Sequence, residues 1–284
     1  MPVVTPTSLA DAVAALAVTP GAVALAGGTD LMVDVNEGRR AVTGAETVIA
    51  LGRVPELTSY TVDPAARRVT LGAAVRWAQI EREPLRHLLP ALAEAARTVG
   101  SPQIRNAGTV GGNLATCSPA GDGLPVLAAL EATVELASAT GGRTLPVAEF
   151  MRGVKRTALE PGELIAAIHV PLLDGWQGYS KVGVRNAMVI ATASACVATD
   201  VTSRSVRIAL GSVAPTIVRA PAAEELVAGT ADWEAGTLDA AVAREAGQLA
   251  AGAASPITDH RSTADYRRHA VAVMVTRLLQ RAFR

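Results

Sequence analysis

Two glycine pairs with polar followers are the residues of this sequence best suited to chemistry: Ala26-Gly27-Gly28-Thr29-Asp30-Leu31 and Thr109-Val110-Gly111-Gly112-Asn113. Glycine enters φ > 0 and lets a ligand come close to main-chain N–H groups, so either turn could cradle phosphate oxygens. The plain alternative is that each pair only makes a tight turn. Neither reads GxGxxG or GxxxxGK[ST], which argues against the dinucleotide fingerprint and against a nucleoside triphosphatase. Downstream, Ser118-Pro119-Ala120-Gly121-Asp122 makes a bend whose carboxylate could accept from sugar-alcohol hydroxyls, cap the helix beginning at Gly123, or do both. Asp30 has the same choice. Beside a pyrophosphate its carboxylate would be repelled, so its N–H is expected to face the ligand and its side chain to turn away or cap. Arg105 and Lys181 are the notable cations, and each taken alone reads as a solvated surface charge.

Other chemistries find no support. The histidines, His87, His169, His260 and His269, form no HxH or HExxH spacing, and Cys117 and Cys196 form no CxxC pair, so a metal site is not expected. Two thiols cannot ligate an iron–sulfur cluster, which takes about four. There is no GxSxG elbow. The 26 Lys+Arg balance 26 Asp+Glu, which removes the electrostatic case for a nucleic-acid or anionic-membrane binder. Met1 to Asp11 lacks the basic and apolar regions of a signal peptide. The run Ala187 to Ala198 falls short of the roughly 18 residues of a membrane span. A cytoplasmic protein is expected.

The elements that would position these residues follow from hydrophobic spacing. Leu9, Val13, Leu16 and Ala17 mark a helix capped by Ser8; Ala22 to Ala26 is a strand entering the first glycine turn; Leu31, Met32 and Val35 form a short helix closed by Gly38. Strands are expected at Thr47 to Leu51 and Arg68 to Leu71, and one helix from Pro84 to Val99. Ser101 to Asp122, dense in breakers, reads as a long functional loop. Leu124 to Leu130 reads as helix, and Thr133 to Ala137 and Glu163 to Val170 as strands, the last ended by Pro171. Leu173 to Gly178 is the expected linker. Beyond it, Ala191 to Val201 and Ser205 to Leu210 suggest an antiparallel hairpin, followed by a helix through Leu238 to Leu249 and another from Thr263 to Phe283 started by Ser262 and Asp265. With 50% hydrophobic but only 3% aromatic residues in 284, the cores must be built from Ala, Val, Leu and Ile.

Taken together, Ala-Gly-Gly-Thr-Asp-Leu at 26–31, Gln-Ile-Arg-Asn-Ala-Gly-Thr-Val-Gly-Gly-Asn-Leu at 103–114 and Ser-Pro-Ala-Gly-Asp at 118–122 resemble the FAD-binding medium subunit of the molybdenum hydroxylases. That family includes the corresponding subunits of xanthine dehydrogenase and aerobic carbon monoxide dehydrogenase. Pro161 to Ile165, Tyr179 to Arg185 and Ala264 to Arg268 extend the resemblance over nearly the whole chain. It implies an α+β fold: a two-part FAD-binding domain of vanillyl-alcohol oxidase/p-cresol methylhydroxylase type over 1–173, split into 1–55 and 56–173. A small α+β C-terminal domain of carbon monoxide dehydrogenase flavoprotein type follows over 174–284.

The resemblance further implies FAD as cofactor. Ala24, Leu25, Ala26, Gly27, Gly28, Thr29, Asp30 and Leu31, with Thr109, Val110, Gly111, Gly112 and Asn113, would line the pyrophosphate. Asp122 would meet the ribityl or ribose hydroxyls, the Ile165 backbone the adenine or flavin region, and Lys181 the isoalloxazine. The pyrophosphate brings roughly two negative charges and the glycine segments hold no cation cluster, so recognition is expected to run through backbone N–H groups. A side chain at Gly111 is expected to block the pyrophosphate. Lys181 is expected to raise the flavin potential. Val99 stands where some members carry an aromatic able to stack on the flavin.

No residue of the chain is needed for substrate chemistry. The implied partners are a molybdopterin-binding large subunit, a [2Fe-2S] small subunit and an external electron acceptor, in a dimer of heterotrimers. The expected function is electron transfer from iron–sulfur clusters through FAD, most like xanthine dehydrogenase. A carbon monoxide, aldehyde or other N-heterocycle dehydrogenase is the alternative, and a flavin-free assembly scaffold a further one.

Overall fold

A small parallel sheet opens the chain in the computed structural model, which describes residues 2–40 and 46–284. Met1 and residues 41–45, part of the expected subdomain 1–55, lie outside the described residues. Strands β1 (Val3–Val4) and β2 (Val23–Leu25) flank β3 (Val48–Ala50), both in parallel. Parallel neighbours need crossovers. Helix α1 (Leu9–Val18) lies between β1 and β2, with the Ser8 hydroxyl accepting from the Asp11 N–H at 3.1 Å, and α2 (Leu31–Asn36) follows β2. Gly38, at φ +68°, sits just beyond α2.

After the short helix α3 (Pro55–Thr58), a five-stranded antiparallel sheet is built around a long excursion. Strands β4 (Tyr60–Asp63) and β5 (Arg68–Gly72) form first. The chain then makes α4 (Trp77–Ile80), α5 (Leu85–Leu88), α6 (Pro90–Thr98), α7 (Pro102–Ala107), α8 (Val110–Thr116) and α9 (Gly123–Ala129) before returning as β6 (Thr133–Ser138) and β7 (Gly141–Pro146). Helix α10 (Val147–Phe150) and the hairpin β8 (Met151–Gly153) and β9 (Arg156–Thr157) precede β10 (Leu164–Pro171), which closes the order β4-β5-β10-β6-β7. Val69, Leu71, Val134, Leu136, Ile168 and Val170 alternate onto the buried face, as the period of two requires.

The last part is a four-stranded antiparallel sheet, β11 (Gln177–Val182), β12 (Ala193–Asp200), β13 (Ser205–Gly211) and β14 (Val218–Arg219), with helices α11 (Pro221–Thr230), α12 (Ala240–Ala253) and α13 (Ala264–Ala282). Its two faces serve two cores. Ala193, Ala195, Val197, Val206, Ile208 and Leu210 pack on the terminal helices, whereas Tyr179, Cys196, Ala198 and Ala209 join the core of the first part. A sheet buried on both faces shows no exposed alternation, which explains why every residue from 193 to 199 is buried.

Three local expectations are corrected. The helix expected from Pro84 to Val99 is two helices, because Pro90 has no N–H to continue the ladder and instead starts α6. The expected loop Ser101 to Asp122 is largely helical. Ser101 caps α7 at the Ile104 N–H with Pro102 at its first turn, and Thr109 caps α8 at the Gly112 N–H, so the apparent breakers are start signals. The last helix is capped by Thr263, which accepts from Tyr266, not by the pair Ser262 and Asp265. Among the described residues no helix is long and apolar enough to cross a membrane.

Candidate functional site

The first glycine turn leaves β2 and lies along α8. A Cβ on Gly27 would overlap the Ala107 carbonyl oxygen and come within 2.9 Å of the Gly108 Cα, so only glycine permits this backbone-to-backbone approach. At its other end, the Asp30 carboxylate accepts from the Thr116 hydroxyl at 2.7 Å, at the last residue of α8. Asp30 therefore occupies the cap position of α2 without capping it. The two glycine segments, some eighty residues apart in sequence by the order of the chain, become neighbours.

Their backbone donors are used differently. Among the described residues, the N–H groups of Gly27, Gly28, Thr29, Asp30 and Leu31 have no acceptor within the chain, and Gly28 has φ +68°. In the second segment Val110 N–H donates to Val75 O, Gly111 N–H to Ala73 O, Gly112 N–H to the Thr109 hydroxyl and Asn113 N–H to Thr109 O. A Cβ on Gly111 would meet the Ala73 oxygen at 2.6 Å. That glycine lets α8 pack against the end of β5, where any side chain would meet Ala73. Val110 and Gly111 are buried, while Gly112 and Asn113 remain half-buried.

Asn113 carries the site onward. Its side chain lies against Gly121 and Gly123, and its buried Oδ1 has no hydrogen-bond partner. The two glycines flank Asp122; a Cβ at 123 would strike the Trp77 ring. Asp122 sits at the cap position of α9 without a capping bond. Its Oδ2 accepts from Lys181 Nζ at 2.8 Å and its Oδ1 from the Tyr179 hydroxyl at 2.8 Å. Lys181 Nζ also donates to Thr98 O at 3.0 Å. The side chains of Lys181 and Asp122 are only 7% and 10% exposed, so Lys181 is not the solvated surface charge its sequence context suggests.

Burial pushes the Asp122 carboxyl up from its ordinary value, against the Lys181 ammonium and the hydrogen bonds that pull it down. Burial, then the Asp122 charge, raise the Tyr179 phenol well above its ordinary range, so it remains an O–H donor.

Other expected residues take supporting places. Ala24 and Leu25 are ladder residues of β2, paired with Ile49 and Ala50, and Ala26 leads into the turn. Ile165 is buried on β10 opposite Leu136, next to a register shift, and the neighbouring Ala166 O accepts from Ala73 N–H. Arg105 is a staple: it pairs with Glu81 and donates to Val99 O and Gly100 O. Among the described residues no cluster of His, Cys, Asp and Glu suits a metal ion. Tyr179 entered the sequence reading only as the start of the segment 179–185, and Thr98 did not enter it at all. The spacing of Tyr179 and Lys181, which puts both on one face of a strand, is the signal that was available.

Residues 1–173 match the family model described as the FAD binding domain in molybdopterin dehydrogenase, and residues 179–282 that of the CO dehydrogenase flavoprotein C-terminal domain. The chain is similar to the carbon monoxide dehydrogenase medium chain of Afipia carboxidovorans, 32% identical over 283 residues, covering 98% of this chain and 94% of the relative. It is also similar to the xanthine dehydrogenase FAD-binding subunit of Escherichia coli O157:H7, 29% identical over 285 residues and 97% and 93% of the two chains. A chain of reconstituted CO dehydrogenase from Oligotropha carboxidovorans superposes with a TM-score of 0.89 at 31% identity, over 99% of this chain and 97% of that one.

Proposed function

We propose, from the premise that this chain belongs to the FAD-binding medium-subunit family of the molybdenum hydroxylases, that it relays electrons from a partner's iron–sulfur clusters to an external acceptor. Its fold is the family's FAD-binding part followed by the CO dehydrogenase flavoprotein C-terminal domain, and its cofactor is FAD. We take the division to fall at residues 173 and 174.

The observation that carries the reading is the row of N–H groups from Gly27 to Leu31 without internal acceptors. Such a row can hold pyrophosphate oxygens without a cation cluster, and the residues present fit the cofactor. When bound, FAD supplies two-electron redox chemistry. Gly27 to Leu31 would hold the pyrophosphate, with Gly112 and Asn113 beside it. The unpartnered Asn113 Oδ1 and the Asp122 carboxylate, each of whose oxygens has room for a second bond, would accept from the ribityl or ribose hydroxyls. The Ile165 segment backs the second glycine turn through Ala73, and Lys181 would meet the isoalloxazine.

The partners in this reading are a molybdopterin-binding large subunit and a [2Fe-2S] small subunit, paired as a dimer of heterotrimers in the cytoplasm. Xanthine is our preferred substrate class for the complex. The carbon monoxide dehydrogenase relative, similar over nearly its whole length, supports a second reading with a different substrate.

The test is the visible absorption spectrum of the purified chain with chromatographic identification of the released chromophore. One FAD per chain is expected, and a folded, colourless protein that also refuses added FAD would leave the scaffold reading instead. Isolation of the native complex and assay with xanthine and with carbon monoxide separates the two substrate readings.

A further inference from the structure

We infer that Tyr179 is a positioning residue of the flavin site, fixing Asp122 and through it the Lys181 ammonium, so that strand β11 of the second part of the chain completes a site otherwise built by the first. The inference rests on the FAD reading above and goes beyond it in naming what sets the cation.

Tyr179 and Lys181 stand two apart on β11 and so project to the same side, toward the loop that carries Asp122. Each takes one oxygen of that carboxylate, both at 2.8 Å. Asp122 has glycine on both sides and makes no capping bond, so these two donors set the direction of its side chain. Lysine has a flexible four-carbon stem and an ammonium with three donors. Two are used, on Asp122 and on Thr98 O, and among the described residues the third has no acceptor. A buried ammonium with one donor to spare points to an acceptor that is not part of the chain. Where that donor points depends on where Asp122 is held, and the Tyr179 phenol is the group that holds its other oxygen.

The phenol also offsets the Asp122 charge. Without it the carboxylate presents a more negative field and draws Lys181 closer, and both changes disfavour electrons on the nearby ring.

The backbone of the same strand is held independently, since Tyr179 N–H donates to Glu94 Oε2 at 2.6 Å and Glu94 Oε1 pairs with Arg281. Glu94→Gln therefore perturbs the docking of β11 without touching Asp122.

The experiment compares FAD content, thermal midpoint and flavin reduction potential in the FAD-loaded full chain for the unmodified protein, Tyr179→Phe and Glu94→Gln. Tyr179→Phe is expected to keep FAD and to disfavour the reduced cofactor up to about tenfold, a fall of about 30 mV for a two-electron couple. Glu94→Gln is expected to leave the potential in place while lowering the thermal midpoint. Replacement of Tyr179 by 3-fluorotyrosine keeps the ring in place with a stronger donor and is expected to raise the potential, and it decides the matter if the phenylalanine variant does not fold.

An unchanged potential in FAD-loaded Tyr179→Phe, or in the fluorotyrosine protein, overturns the positioning role and leaves the FAD reading intact. Equal falls in Tyr179→Phe and Glu94→Gln also overturn it, by assigning the effect to strand docking. An unmodified chain that takes up no FAD overturns the reading on which it rests.

Discussion

Removing the Lys181 charge tests whether the pair with Asp122 is buried in fact. At 2.8 Å the two charges attract by about 6 kcal/mol at an effective dielectric of about 20, most of which offsets the desolvation of two groups about nine-tenths buried. The net worth of the intact pair is therefore small, while breaking it is costly, because one charge stays buried without its counter-ion. Losses on breaking a buried pair run at about 3–5 kcal/mol. Lys181→Met leaves Asp122 with the Tyr179 phenol and Asp122→Asn leaves Lys181 with Thr98 O, so the lower end, about 3 kcal/mol, applies to each. The double variant removes both charges and should lose no more than about 3 kcal/mol, where additivity would give about 6. Thermal unfolding of the four proteins at neutral pH reads this directly, at about 2–4 °C per kcal/mol for a chain of this size class. Single-variant losses below about 1 kcal/mol, or an additive double variant, would refute the picture of a desolvated, mutually dependent pair.

Two further outcomes are expected. Gly27→Ala forces Ala107 and Gly108 away from the first turn and should lower FAD bound per folded chain, whereas Gly111→Ala collides with Ala73 and should cost about 1–3 kcal/mol of stability whether or not FAD is present. Chromatography of released flavin and thermal scans of the flavin-free proteins distinguish the two, and equal behaviour would contradict the division of labour between the glycine pairs. Asp259 titrates at about 2: partial burial pushes it up, but hydrogen bonds from Arg261 N–H, the Arg267 guanidinium and Ser262 N–H outweigh it. A depressed acid stabilises the fold above its unfolded value near 4 and loses that contribution as the pH falls toward 2. Urea midpoints should thus fall more steeply between pH 4 and 2 in the unmodified protein than in Asp259→Asn, and parallel curves would remove Asp259 from the acid response.

Much of the architecture was legible because local physics decided it. Ser8 caps its helix at short range, the buried face of the five-stranded sheet alternates, and the glycine and Asp122 motifs were specific in combination. Pro90 misled the eye because its helical neighbours on both sides share one apolar pattern, and only its missing N–H separates them. The segment 101–122 misled in the opposite way, since serine, threonine and proline there begin helices instead of breaking them. Tyr179 was marked only as the start of the segment 179–185 and given no role, because its partner lies 57 residues away and contact at that separation has no local signature.

Short-range signals were enough for the set of parts: the motifs carried the family resemblance and with it the cofactor, and hydrophobic spacing marked the glycine turns and most strands and helices. Which glycine segment has N–H groups to offer, and which has spent them within the chain, was decided only when α8 packed between the first turn and Ala73. So was the burial of Lys181, which became a paired ammonium because β11 of the last sheet packs on the helices of the first part. A hydrogen-bond donor is free or spent according to what lies opposite it in space, and that is a property of the packed chain.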